Sequence, residues 1–86
     1  MAYNVVYKKS VRHDLMKLPQ AEAGRILEHI EEELSRQPAY HPVLKGRFTG
    51  LRKLRIGDYR VIYAILGDDI IVLRIGHRGN VYKDEI

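Results

Sequence analysis

LRKLRIGDYRVIYAIL, residues 51–66, decides the fold. Two alternating stretches flank Gly57-Asp58, and a two-residue Gly-X link is typical of a II′ β-hairpin. Strand side chains alternate between faces, so parity serves as a ruler. A two-residue turn sets Ile56 opposite Tyr59. One face then collects Leu54, Ile56, Tyr59, Val61, Tyr63 and Ile65, which suits packing against helices. The other collects Lys53, Arg55, Arg60, Ile62 and Ala64, with Arg55 directly opposite Arg60. Arg52, at the strand start, breaks the core-side pattern.

Downstream, IIVLRIG (70–76) follows Gly67-Asp68-Asp69. A three-residue turn there sends Ile71, Leu73 and Ile75 to the core side. It also points Arg74 to the basic side, and Arg78 follows if the chain stays extended. A two-residue turn would bury Arg74, at high cost, so the three-residue turn is expected. Upstream, Tyr3, Val5 and Tyr7 read as a short first strand. From Lys9 the period changes: Val11, Leu15 and Leu18 fall at helical spacing, predicting a helix over about 9–17. Pro19 suits the opening of a second helix. Ala23, Ile26, Leu27, Ile30 and Leu34 mark its face through about Arg36, before Pro38 and Pro42 bracket a loop. The expected class is α+β: a mostly antiparallel four-stranded sheet with an N-terminal helical hairpin packed on one face. One domain is expected to span 1–86.

At 86 residues the chain has room for one modest core. It contains no cysteine, which excludes disulfides, thiolate metal sites and a thiol nucleophile. The opening MAYNVVYKKS lacks the apolar run of a signal peptide, and no segment reads as a membrane span. A cytoplasmic protein is expected. Lys plus Arg number 15 against 11 for Asp plus Glu, a formal charge of +4 that favours an anionic partner. The charges are segregated: Glu22, Glu28, Glu31, Glu32 and Glu33 lie on the second helix. Lys45, Arg47, Arg52, Lys53, Arg55 and Arg60 crowd the segment that follows.

Like charges directly opposite each other in a sheet cost about 0.2–1 kcal/mol, and an anion lying across them removes that cost. Lys53, Arg55, Arg60, Arg74 and Arg78 therefore read as a face for phosphate. Arginines hold phosphodiester oxygens through bidentate bonds and stabilise the added charge of a pentavalent transition state. Asp58, Asp68 and Asp69 sit in turns, so no two-metal site is expected, nor any cofactor. Cleavage of RNA by its own 2′-OH needs only a base, an acid and positive charge. Histidine is suited to proton traffic near neutral pH, so His77 carries a proton there or bonds to backbone at the strand end. Tyr82 is a stacking platform for an unpaired base, or it packs the tail onto the sheet. His13, His29 and His41 read as surface residues, and Tyr3, Tyr7 and Tyr63 as core or core edge.

LKG at 44–46, KLP at 17–19, LRKLRIGDYRVIY at 51–63 and IGHRGNVY at 75–82 together resemble the RelE branch of the RelE/ParE toxin superfamily. The resemblance covers nearly the whole chain. It implies a compact, microbial-ribonuclease-like fold that cleaves messenger RNA in the ribosomal A site, leaving a 2′,3′-cyclic phosphate and a 5′-hydroxyl. It also implies a cognate antitoxin that wraps and blocks the toxin. By the same resemblance Arg60 supports the scissile phosphate, and Arg78 lies near the leaving oxygen as general acid or charge stabiliser. Tyr82 stacks on the base, and Lys53 and Arg55 fall on basic strand positions. Lys45, Arg52 and Arg74 complete the expected RNA-binding set. Leu51 stands where the best-described members place a second lysine, and His77 could take over part of a base's role. The alternatives are a ParE-like inhibitor of DNA gyrase, and a non-catalytic RNA- or partner-binding module on the same scaffold.

Overall fold

Alternation at the start of the chain forms β1 (Asn4–Tyr7), the helical period forms α1 (Lys9–Met16), and α2 (Gln20–Leu34) follows at once. These come from a computed structural model that describes residues 3–44 and 50–77. A short 3-10 turn (Pro38–Tyr40) precedes β2 (Arg52–Ile56), β3 (Tyr59–Leu66) and β4 (Asp69–His77). The strands lie in the order β1-β4-β3-β2. β1 runs parallel to β4, and the other neighbours are antiparallel. The α+β class and the mostly antiparallel sheet are as the sequence implies.

The helices bury the expected stripes. Val11 of α1 and Ile26, Ile30 and Leu34 of α2 pack on Leu54, Ile56, Val61, Tyr63, Ile70, Val72 and Ile75 of the sheet. Tyr59 and Ile65 pack against this core, as do Tyr3, Val5 and Tyr7. The β2–β3 register matches the parity reading, with Ile56 opposite Tyr59 and Arg55 opposite Arg60. Gly57 has a φ of 60° and, among the described residues, no non-glycine residue has positive φ, which fits Gly-X of type II′.

The last hairpin corrects the reading of 67–69. Leu66 pairs with Asp69, so the turn is Gly67-Asp68 alone, with Gly67 at a φ of 61°. Ile70 and Val72, rather than Ile71 and Leu73, are fully buried. A bulge then intervenes: Tyr63 pairs with Val72 but Ile62 with Arg74, leaving Leu73 extra. The extra residue reverses the phase, which brings Ile75 back to the core at 2% exposure. Arg74 is thus on the second face even after a two-residue turn.

His41 is a further correction, being partly buried rather than on the surface. Its Nε2 lies 3.1 Å from Glu33 Oε1, and its ring meets those of Tyr40 and Tyr63 edge-on. The Tyr63 hydroxyl donates to Pro38 O and Arg52 Nη1 to His41 O at 2.7 Å, fastening the 3-10 segment to the sheet. Burial, the largest cause, pushes the Tyr63 phenol up to about 12 from 10.0. The folded state therefore holds this proton more tightly than the unfolded chain does. Its contribution is complete below pH 10.0 and is lost as pH rises toward about 12. Tyr63→Phe should lower stability by about 1–3 kcal/mol near neutrality, since Pro38 O loses its donor. It should also flatten the alkaline fall, as urea melts at pH 9 and 11 would reveal. An equally steep fall in the variant would contradict this.

Candidate functional site

Two cross-strand rows define the basic face. Arg55, Arg60 and Gly76 form one, and Lys53, Ile62 and Arg74 the next. The face is not uniformly open: Ile62 is fully buried, Arg60 is 9% exposed, Lys53 is half-buried and Arg55 is exposed. Arg60 folds its guanidinium back onto the hairpin, where Nη1 donates to Gly57 O at 3.2 Å and Tyr59 O at 3.1 Å. Those carbonyls offset part of the repulsion from Arg55 and fix one edge of the planar fork. Bidentate contact with an anion would fall to the Nε–Nη2 edge.

Arg74 shares the face by register, but its side chain is engaged. Nε and Nη2 each donate to the Asp14 carboxylate at 3.1 Å, and Asp14 is only 6% exposed. Contact with RNA would compete with this pair. Arg52 lies in the row of Tyr63 and Val72, on the helix-facing side. Its bonds to Ala39 O and His41 O give it a scaffold role there. His77 is paired with Tyr59, and the rings meet edge-on at 5.6 Å. The register thus sets His77 on the face of Tyr59 and Ile56, opposite in direction to Arg60. Lys45, Arg78 and Tyr82 lie outside the described residues.

Asp14 is the residue that sequence reasoning missed. Its signal was available, because it falls between Val11 and Leu18 on the apolar stripe of α1, where an acid needs a partner. Among the described residues, no group of three or more His, Asp or Glu is placed to hold a metal ion. A cavity of about 300 Å³ opens between α1, α2 and the end of β1, lined by Tyr7, Lys8, Val11, Arg12, Leu15 and Leu27. It contains none of the candidate residues. Also among the described residues, no helix is long and apolar enough to cross a membrane.

Comparison with known proteins places this arrangement in a family. The pattern of the family described as ParE toxin of type II toxin–antitoxin system matches residues 5–82. The chain is 33% identical over 94 residues to the RelE1 chain of Methanocaldococcus jannaschii, covering 98% of this chain and 99% of the relative. It is similar in structure to a chain of the RelBE2 toxin–antitoxin complex of Mycobacterium tuberculosis. That match has a TM-score of 0.82 at 30% identity and covers 91% of this chain and 100% of the other. A chain of the archaeal RelE–RelB complex of Pyrococcus horikoshii matches at TM-score 0.65 and 35% identity, covering 94% and 100%. The chain belongs to the RelE/ParE superfamily of type II toxins, and two curated relatives that it resembles in sequence are named RelE toxins.

Proposed function

We propose that the protein is a ribosome-dependent, metal-independent endoribonuclease. It cleaves messenger RNA in the ribosomal A site by attack of the 2′-OH and leaves a 2′,3′-cyclic phosphate and a 5′-hydroxyl. The observation that carries this reading is the Arg55–Arg60 cross-strand pair beside Lys53. Two arginines at directly opposite strand positions are unfavourable in an isolated sheet and become favourable around a phosphodiester. Arg60 supports the scissile phosphate, with Lys53 and Arg55 adding charge. Arg78 and Tyr82, carried over from the family, serve the leaving oxygen and the base. Relatives solved as RelE–RelB and RelBE2 complexes support a cognate antitoxin as the neutralising partner. The cytoplasm, where ribosomes and message meet, is the expected compartment.

Translation of a defined message with and without the protein, followed by mapping of new RNA ends, tests the reading. New ends at A-site codons are expected; intact message would overturn it. The matching family pattern is described as ParE, so gyrase supercoiling belongs in parallel. Inhibition of supercoiling without new RNA ends would select that alternative.

His77 separates two versions of the mechanism. A catalytic imidazole would give His77→Gln a lower rate and an altered pH profile near the imidazole pKa. Because the register pairs His77 with Tyr59, we expect a rate within about threefold of the parent and an unchanged profile. A profile that loses its inflection would return the proton to His77.

A further inference from the structure

β1 stops at Tyr7, opposite Val72, and Lys8 N makes the last backbone bond there, to Val72 O. β4 continues to His77, with β3 beside it throughout. Past Val72, α1 takes the place of the missing strand. Ser10 Oγ donates to Leu73 O at 2.9 Å, and Asp14 Oδ2 accepts the Ile75 N–H at 2.9 Å. Ser10 and Asp14 are one helical turn apart and so lie on one side of α1. The same carboxylate takes Arg74 Nε and Nη2, so Asp14 grips β4 by both backbone and side chain.

The gripped segment is the bulge and the residues just beyond it. Leu73 is the extra residue, and it determines what faces Arg60. With the bulge, Gly76 lies opposite Arg60 and Arg74 opposite Ile62. Slipping it out would shift each partner by one, setting Ile75 against Arg60 and turning Arg74 toward the helices. A bulge is only as fixed as the contacts that hold it, and here α1 supplies the Ser10 and Asp14 bonds.

We propose that Asp14 is a positioning residue of the basic face. It locks the Leu73 bulge and so sets the phase in which β4 passes Arg60. The consequence for catalysis rests on the nuclease reading; the locking does not.

Asp14→Asn keeps the shape and an acceptor for Ile75 but loses the charge that holds Arg74. Val11→Ala, a buried neighbour on α1 that makes none of these bonds, controls for destabilisation alone. Both variants are to be studied well below their melting points. Amide exchange of Ile75, Gly76 and His77 is the first readout. The second is single-turnover cleavage on programmed ribosomes at saturating and limiting protein. Asp14→Asn should speed exchange at these amides about tenfold, as local opening does. It should also lower the saturating rate roughly tenfold to a hundredfold with an unchanged half-saturating concentration, the signature of misplacement rather than lost affinity. Val11→Ala should move neither. Equal protection at 75–77 in the two variants would overturn the proposal, as would an Asp14→Asn saturating rate at the parent level. If the parent itself does not cleave, the nuclease reading falls, and the exchange result alone decides the locking role.

Discussion

Arg60→Ala is expected to cleave message on programmed ribosomes about 10²–10³-fold more slowly than the parent. In the free protein its guanidinium is partly occupied by Gly57 O and Tyr59 O, which orients the fork without neutralising it. A phosphodiester under in-line attack gains charge on its equatorial oxygens, and a pre-aimed guanidinium meets that charge at little reorganisation cost. Losing such a donor costs about 2.7–4 kcal/mol of transition-state stabilisation by analogy with oxyanion-hole donors. The two carbonyl contacts also anchor the hairpin, at about 0.5–1.5 kcal/mol each. A drop of several degrees in melting temperature therefore accompanies the rate loss, too little to unfold the protein at assay temperature. Arg60→Lys retains charge but not the fork, and should fall between the two. Parent-level cleavage by Arg60→Ala would remove Arg60 from the site.

Asp14→Ala should produce the largest stability loss, about 3–5 kcal/mol by urea unfolding, because it breaks a buried pair from one side. The change leaves the Arg74 guanidinium and the Ile75 N–H without their shared acceptor. Arg74 retains 15% side-chain exposure, and water reaching it argues for the lower end, about 3 kcal/mol. Against a total of roughly 5–15 kcal/mol for a small domain, that is a large share. Asp14→Ala combined with Arg74→Met should recover part of the loss, since the guanidinium that Asp14 had held is gone. A loss below about 1 kcal/mol for Asp14→Ala would mean that the pair is screened and carries little.

Much of the sheet was legible because parity is rigid. Gly57-Asp58 fixed the β2–β3 register, and with it the Arg55–Arg60 opposition. The second hairpin carried the same Gly-X signal at Gly67-Asp68, yet the cost of burying Arg74 argued for a longer turn. Both considerations were sound, and the bulge at Leu73 satisfies them together. A bulge leaves little mark in one sequence, because any residue can be the extra one. Asp14 offered an indirect clue: an acid on an apolar helical stripe implies a buried cation elsewhere, and Arg74 is that cation.

The functional side chains were less legible than the strands that bear them. Arg52, Arg55 and Arg74 are chemically equivalent in the sequence, but only Arg55 is exposed on the basic face. Arg52 closes the 3-10 segment and Arg74 pairs with Asp14, which depends on contacts far away in the chain. His77 looked like a catalytic histidine by composition and lies with Tyr59 by register. Local motif reading finds the residue type; packing determines which of several like residues remains exposed.

Among its described residues the proposed site has arginines for phosphate but no His/Glu pair that would let it cut RNA alone. Much of its rate must then come from orientation, and well-placed reacting groups can supply about 7–11 kcal/mol. A ribosome holds message extended and unstacked, whereas free RNA seldom presents in-line geometry. The +4 charge should also favour docking beside ribosomal RNA, weakening as salt rises. The direct test compares one labelled message, free and bound to purified programmed ribosomes, under sub-stoichiometric protein. The account predicts A-site cleavage to a 2′,3′-cyclic phosphate on ribosomes and almost none in free RNA. Efficient cutting of the free message, or an intact message on ribosomes, would contradict it.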